Sequence, residues 1–379
     1  MIKGFIIKLT KIRHLNSILI IFSLVIIFSS LFIISINIES FSERLVDNTR
    51  GVDTLQYSPD GGVLASLDSY KSVKLWNTSS YETFREIELD YTTDSFYLHS
   101  FSYNGNIVAI NTFFDSLDFY NASTGDKIRE IRSLNETVVC IALSPTENIL
   151  ATGYVNSNIS LWDVETGQII RTFSDHTAFI NHISFSHDGN YLISGSCDGT
   201  AKLWNVSNGK VLKTFSVNDE GIKFVSISKD NKLIASGSFD LTVRIWDIET
   251  GSLLKTIPYQ PGKLVSRILL LFSPTDDILA ISLPDGSVTL WDTINFKKIS
   301  NFTPYTATDK TLSFSNDGEY LACGSRSFYH FKIYKIDGII SKAELVNNLE
   351  AFSIILIIPM VIMLLIGIFL SYYKKKYNS

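Results

Sequence analysis

His176, Ser194, Ser196, Asp198 and Trp204 fall within one stretch of the chain, and their types are those of an acid–base relay. An imidazole can move a proton, a carboxylate can orient the ring, and a hydroxyl can be activated. The same stretch argues against that chemistry. Its second half, SGSCDGTAKLWN from Ser194 to Asn205, returns 42 residues later as SGSFDLTVRIWD from Ser236 to Asp247, with Asp240 and Trp246 in the places of Asp198 and Trp204. A polar set that recurs at a fixed period belongs to a repeated supersecondary unit.

The other residues with chemical potential are scattered. His14, His99, His182, His187 and His330 share no spacing. Cys140, Cys197 and Cys323 make neither a metal pattern nor a disulfide framework, and read as buried or turn thiols. Asp115 with Asp118, and Asp276 with Asp277, read as solvated turn acids rather than metal ligands. Phosphate-cradling glycine loops, zinc helices and nucleophile elbows are absent. No metal, cofactor or enzymatic activity is expected.

The elements that position the repeated set follow from its period. Each copy ends a strand on an aromatic anchor, at Trp76, Tyr120, Trp162, Trp204, Trp246, Trp291 and Tyr334, with spacings of 44, 42, 42, 42, 45 and 43. Alternating runs such as VKLW and VRIW precede the anchors and place successive side chains on opposite faces of a strand. Upstream of each anchor a further pair of strands is joined by a turn, and several of these turns hold the Asp-Gly or Asn-Gly that a tight hairpin needs. A fourth short strand follows the anchor, as in GQIIRTF from Gly167 to Phe173. Seven anchors match seven turns.

This pattern, with the dipeptides Trp162-Asp163, Trp246-Asp247 and Trp291-Asp292, resembles the WD40 repeat family over residues 43–335. The resemblance implies an all-β, seven-bladed β-propeller of four-stranded blades. It also implies that His176, Ser194 or Ser196, Asp198 and Trp204 form a buried structural network, as do Asp240 and Trp246, so that losing one member costs about 1–3 kcal/mol. Asp240 and Asp285 keep the turn aspartate, whereas Tyr70, Phe114, Asn156 and Phe328 replace it in other blades. The family's habit is to scaffold protein complexes, so the expected partners are proteins, of identity the sequence does not name.

Composition agrees. The 379 residues are 12% aromatic and 19% charged with a net charge of -5, which gives no basic surface for nucleic acid. Two segments depart from the rest. Residues 17–38 carry no charge over 22 positions, roughly 33 Å of helix, and residues 351–373 carry none over 23, interrupted by Pro359. Both are expected to span a membrane, the first as an uncleaved anchor, since the residues after it do not suit signal cleavage. Lys3, Lys8, Lys11 and Arg13 lie in the tail 1–16, and Lys374, Lys375 and Lys376 in the tail 374–379, whereas acidic residues flank the inner sides. The positive-inside rule then puts both tails in the cytosol, and the propeller with its linker 336–350 on the far side. The competing reading is a cytosol-facing tethered propeller. It would be a regulator like the nucleotide exchange factors of vesicle formation, against which the extra N-terminal span counts, or a signalling receptor.

Residues 43–46 align with an outermost strand that has no repeat before it, so they are expected to complete the last blade. Both tethers then leave one end of one blade, and the opposite face is free. Across the turns of that face stand Tyr70, Phe113, Phe114, Val155, Phe239, Phe328 and Tyr329. These aromatic and apolar side chains either anchor a partner or fold inward to fill gaps left by lost tryptophan and aspartate. Six sequons, at Asn77, Asn121, Asn135, Asn158, Asn205 and Asn301, are candidate glycosylation acceptors under this topology.

Overall fold

The computed structural model describes residues 44–48, 51–68, 72–89, 98–101, 105–113, 116–131, 136–216, 220–260, 268–275, 277–304 and 310–337. The chain divides into two compact units, Met1–Ser42 and Glu43–Ser379. The expected spans at 17–38 and 351–373, with their basic tails, lie outside the described residues. Among the described residues no helix is long and apolar enough to cross a membrane.

The described residues form seven antiparallel sheets of four strands. Blades one to six each run outward in chain order, over 52–88, 98–131, 138–173, 180–216, 222–258 and 269–302. The seventh takes three strands from 310–335 and its outermost strand, Arg44–Asp47, from the other end of the unit. That strand pairs with His330–Lys335 in the register Arg44 to Ile333 and Asp47 to His330. The expected closure is present, shifted by one residue, and it ties the two ends of the unit together in one blade.

The third strands read as alternating but are not half-exposed. Ser72–Asn77, for example, is buried at every position up to Trp76, because neighbouring blades cover both faces of each sheet. Outermost strands such as Thr83–Glu88 are exposed at every position but Ile87. The anchors supply much of the packing between blades. Trp204 stacks on Phe173 of the preceding blade with centroids 5.2 Å apart, and Trp76 meets Phe331 edge-on at 5.3 Å. Aromatic burial of this size is worth about 2–3 kcal/mol per side chain.

A second set of joints runs along the outer rim. Arg85 donates to the Ser123 carbonyl at 3.2 Å, and Arg129 to those of Glu165 and Thr166 at 2.5 and 3.2 Å. Arg171 donates to Ser207 and Asn208 at 2.9 and 3.3 Å, and Lys213 to Glu249 at 2.5 Å. Each cation sits nine residues after its anchor and reaches the next blade's outer turn. In each of these turns a glycine with φ between 70° and 79° lies against the cation's stem, at Gly125, Gly167, Gly209 and Gly251. A Cβ there would fall 2.7–3.2 Å from the Cδ of the arriving side chain. Glycine is therefore needed twice, for its conformation and for its missing carbon.

Two blades break the rule with an aromatic residue at the same place, Tyr81 at φ 57° and Phe296 at φ 53°. At Tyr81 the arriving cation is Arg44 of the closing strand. It stacks on the Tyr81 ring at 4.7 Å and donates to the Ser80 carbonyl at 2.6 Å, so the ring closure is clasped as well as paired. At Phe296 the arriving cation would be Lys255, and among the described residues no such contact forms.

The innermost strands of all seven blades line a central cavity of about 490 Å³.

Candidate functional site

His176 stands in the loop before the innermost strand of blade four, Asp198 in the turn between its second and third strands, and Ser194 on the second strand. The fold brings them together. His176 Nδ1 lies 2.7 Å from Asp198 Oδ2, and Nε2 lies 2.7 Å from Ser194 Oγ. Trp204 Nε1–H donates to the same Ser194 oxygen at 2.7 Å. These partners set the tautomer: Nδ1–H donates to the carboxylate, and Nε2 accepts the Ser194 hydroxyl.

Asp198 also accepts the backbone N–H groups of Thr177 and Thr200 at 3.0 and 2.9 Å and the Thr200 hydroxyl at 2.7 Å. Burial opposes its ionisation, but the bonds from His176, Thr200 and Thr177 outweigh it and hold the carboxyl well below the usual range. The order Asp–His–Ser is that of a hydrolytic relay. Yet a nucleophile must meet its substrate, and Ser194 has 0% of its surface exposed. Its oxygen is enclosed between an imidazole and an indole. Ser196 lies outside the relay: it donates to the Ala178 carbonyl at 2.9 Å and accepts the Asp198 N–H at 3.1 Å, bracing the turn.

The other anchors show the rule behind this arrangement. Trp76, Trp162 and Trp246 donate to Ser66, Thr152 and Ser236, each ten residues earlier, at 2.8, 2.9 and 3.0 Å. In blade six that place is Ile281, and Trp291 turns to Thr289 at 3.0 Å. In blade two it is Ile110; the anchor becomes Tyr120, whose hydroxyl donates to Asp118 at 3.3 Å. Asp118 is therefore fully buried and paired with Lys127 at 2.8 Å, which corrects its reading as a solvated turn acid. Asp115 and Asp276 lie outside the described residues. Asp240 caps its turn through the Thr242 N–H and hydroxyl at 3.0 and 2.7 Å and pairs with Arg244 at 2.8 Å. Asp285 does the same for Ser287 at 2.8 and 2.6 Å.

On the face formed by the turns between second and third strands Val155, Phe239 and Tyr329 are exposed, by 48%, 42% and 62%. Phe328 is half-buried, its ring 5.8 Å from that of His330. Tyr70, Phe114 and the side chain of Phe113 lie outside the described residues. Sequence reasoning missed Phe179, 44% exposed, because it belongs to the loop before an innermost strand rather than to a turn aspartate's place.

Asn77, Asn121 and Asn205 use their side-chain carbonyls to cap the outer turns, accepting from Ser79, Ser123 and Asn208 N–H groups at 2.9, 2.9 and 3.0 Å. Asn77 and Asn301 are exposed, Asn158 is half-buried, and Asn135 lies outside the described residues.

Inside the central cavity His182 stacks on Phe224 with centroids 4.0 Å apart, and its Nδ1 has no hydrogen-bond partner. The ring borders the cavity and is otherwise surrounded by protein. Burial pushes its pKa down to about 4 against a bond to the Val225 backbone. Cys140 and Cys323 are buried, while Cys197 is half-buried in a turn. Among the described residues no three His, Cys, Asp or Glu side chains come together in a way that could hold a metal ion.

Comparison with known families places WD40 repeats in the same register. The model of the WD domain, G-beta repeat, matches residues 167–205 and 209–247. The model of the anaphase-promoting complex subunit 4 WD40 domain matches residues 99–185. No curated protein matches the chain.

Proposed function

We propose that this WD40 propeller is a non-catalytic, protein-binding scaffold, held at a membrane by the segments 17–38 and 351–373 with its free face turned away from the bilayer. The seven-bladed ring suits protein binding, and its best-formed polar set is closed to substrate, so the relay around Ser194 serves as blade cement. The observation that carries the reading is the exposure of Phe239 and Tyr329 on turns of one face. Exposed aromatic side chains of this kind anchor protein interfaces. The tethering is supported by the hydropathy of the two segments and by the register of the last blade. Arg44 and Ile333 are neighbours, so the chain enters and leaves the ring at the end opposite those turns.

Phe239→Asp with Tyr329→Asp should remove the dominant crosslinked protein from intact cells while the unfolding temperature stays within a few degrees. An unchanged crosslink pattern refutes the binding face. Protease digestion of sealed vesicles tests the sidedness: cleavage of the propeller from the cytosolic side alone would overturn it.

A further inference from the structure

Resting on the reading of the free face as a protein-binding surface, we propose that its part on blades three to five takes an acidic peptide segment. A carboxylate of that segment pairs with Lys223 while an apolar neighbour covers Phe239, Phe179 and Val155.

Lys223 occupies the one-residue irregularity between Ile222 and Phe224 in the innermost strand of blade five. Such a bulge re-aims a side chain out of the ladder. Here it lifts the ammonium to 4.3 Å above the centre of the Phe239 ring. Partial burial lowers the pKa of this lysine from its ordinary value.

Three other cations are held by carboxylates: Lys202 by Asp175 at 2.6 Å in blade four, Arg244 by Asp240 at 2.8 Å in blade five, and Arg326 of blade seven by Asp53 of blade one at 2.8 Å. Among the described residues Lys223 has none, and Glu220, three residues before it, is exposed without forming an ion pair. Among the described residues this cation is therefore left without a carboxylate, and the exposed Phe239 ring lies beneath it.

Backbone contacts link the turns that carry these side chains. A Cβ on Gly221 would lie 2.9 Å from Cys197 Cα and 3.3 Å from Phe239 Cδ2, so the Phe239 ring borders the turn of blade four. Cys197 N–H donates to the Phe179 carbonyl at 3.0 Å, which ties that turn to the next apolar residue. Ile180 in turn packs against Gly153, two residues before Val155. Phosphate groups and nucleic acids call for several cations or an arginine fork. One lysine over the exposed Phe239, with exposed Phe179 and Val155 on the neighbouring blades, fits one carboxylate followed by one or two apolar residues.

The test is selection from a phage-displayed random 12-residue peptide library on the full-length protein, repeated on Lys223→Gln and Phe239→Ala. Lys223 is half-exposed, so the Lys223→Gln variant is expected to fold, and tryptophan fluorescence checks this. The expected result is enrichment of Asp or Glu next to Leu, Phe or Trp. The best peptide, synthesised, should bind Lys223→Gln roughly tenfold more weakly. Its acid-to-amide form should lose a similar factor on the wild-type protein and nothing further on Lys223→Gln. Peptides enriched without acidic residues but lost on Phe239→Ala would overturn this inference and leave the binding face standing. No enrichment at all would overturn both.

Discussion

Alanine at position 125 tests whether glycine is required in the outer turns for its backbone alone or also for the cation that arrives there. Gly125 has φ 79°, which costs an L-residue about 1–2 kcal/mol. The added Cβ would lie 2.8 Å from Arg85 Cδ, 3.3 Å from Cγ and 3.7 Å from Nε, with no other group among its nearest atoms. Arg85 must therefore swing out and give up the Ser123 carbonyl at 3.2 Å, an exposed bond worth about 0.5–1 kcal/mol. Gly125→Ala should lose about 2–3 kcal/mol, Arg85→Ala about 1 kcal/mol, and the double variant no more than Gly125→Ala alone. The measurement is urea unfolding of the full-length protein by tryptophan fluorescence for all four corners of the cycle. Additivity within about 0.4 kcal/mol would show that the cation and the glycine are independent, and would remove the clamp from the account.

Two further outcomes follow from the buried polar groups. Ser194→Ala leaves both His176 Nε2 and Trp204 Nε1–H without their partner in the interior, and should lower stability by roughly 2–4 kcal/mol. Ser196→Ala, which gives up only bonds to the Ala178 carbonyl and the Asp198 N–H, should cost no more than about 1 kcal/mol, and equal losses for the two serines would refute the relay's assignment. For His182 the folded pKa lies near 4 and the unfolded one near 6.5, so the unfolded chain binds more protons between them. Stability should fall as pH drops from about 6.5 to about 4, by at most about 3 kcal/mol, the ring bordering the cavity on one side. His182→Gln should flatten this limb of a melting-temperature profile. The depressed Asp198 carboxyl acts in a separate window: its contribution is complete above the ordinary carboxylate range and is lost only below it. A limb unchanged in His182→Gln would show that the histidine is not the titrating group.

The ring was legible because its signal repeats. Seven anchors at near-constant spacing name seven blades even where the individual copies are poor, and the absence of a repeat before residue 43 is enough to find the closing strand. What the sequence hides is any partnership that crosses from one blade to the next. Arg85 and Ser123 are 38 residues apart, and nothing local links a basic residue after one anchor to a glycine after another. Within a blade, a period-two strand puts Ser194 and Ser196 on one face, so alternation cannot choose between them; only the reach of Trp204 does. Asp118 was misread for a related reason. Its neighbour Asp115 made it look like part of a turn, while the informative fact was an absence eight residues earlier, where Ile110 takes the place of the hydroxyl that other anchors use. An anchor that loses its acceptor must find another or leave a buried donor unmet. Blade two answers with a tyrosine and a buried carboxylate, and blade six with Thr289. The exceptions in a degenerate repeat are thus chemically paired. A missing hydroxyl predicts a displaced acceptor, and an aromatic residue in the glycine's place predicts either a stacked cation, as at Tyr81, or a joint without one, as at Phe296.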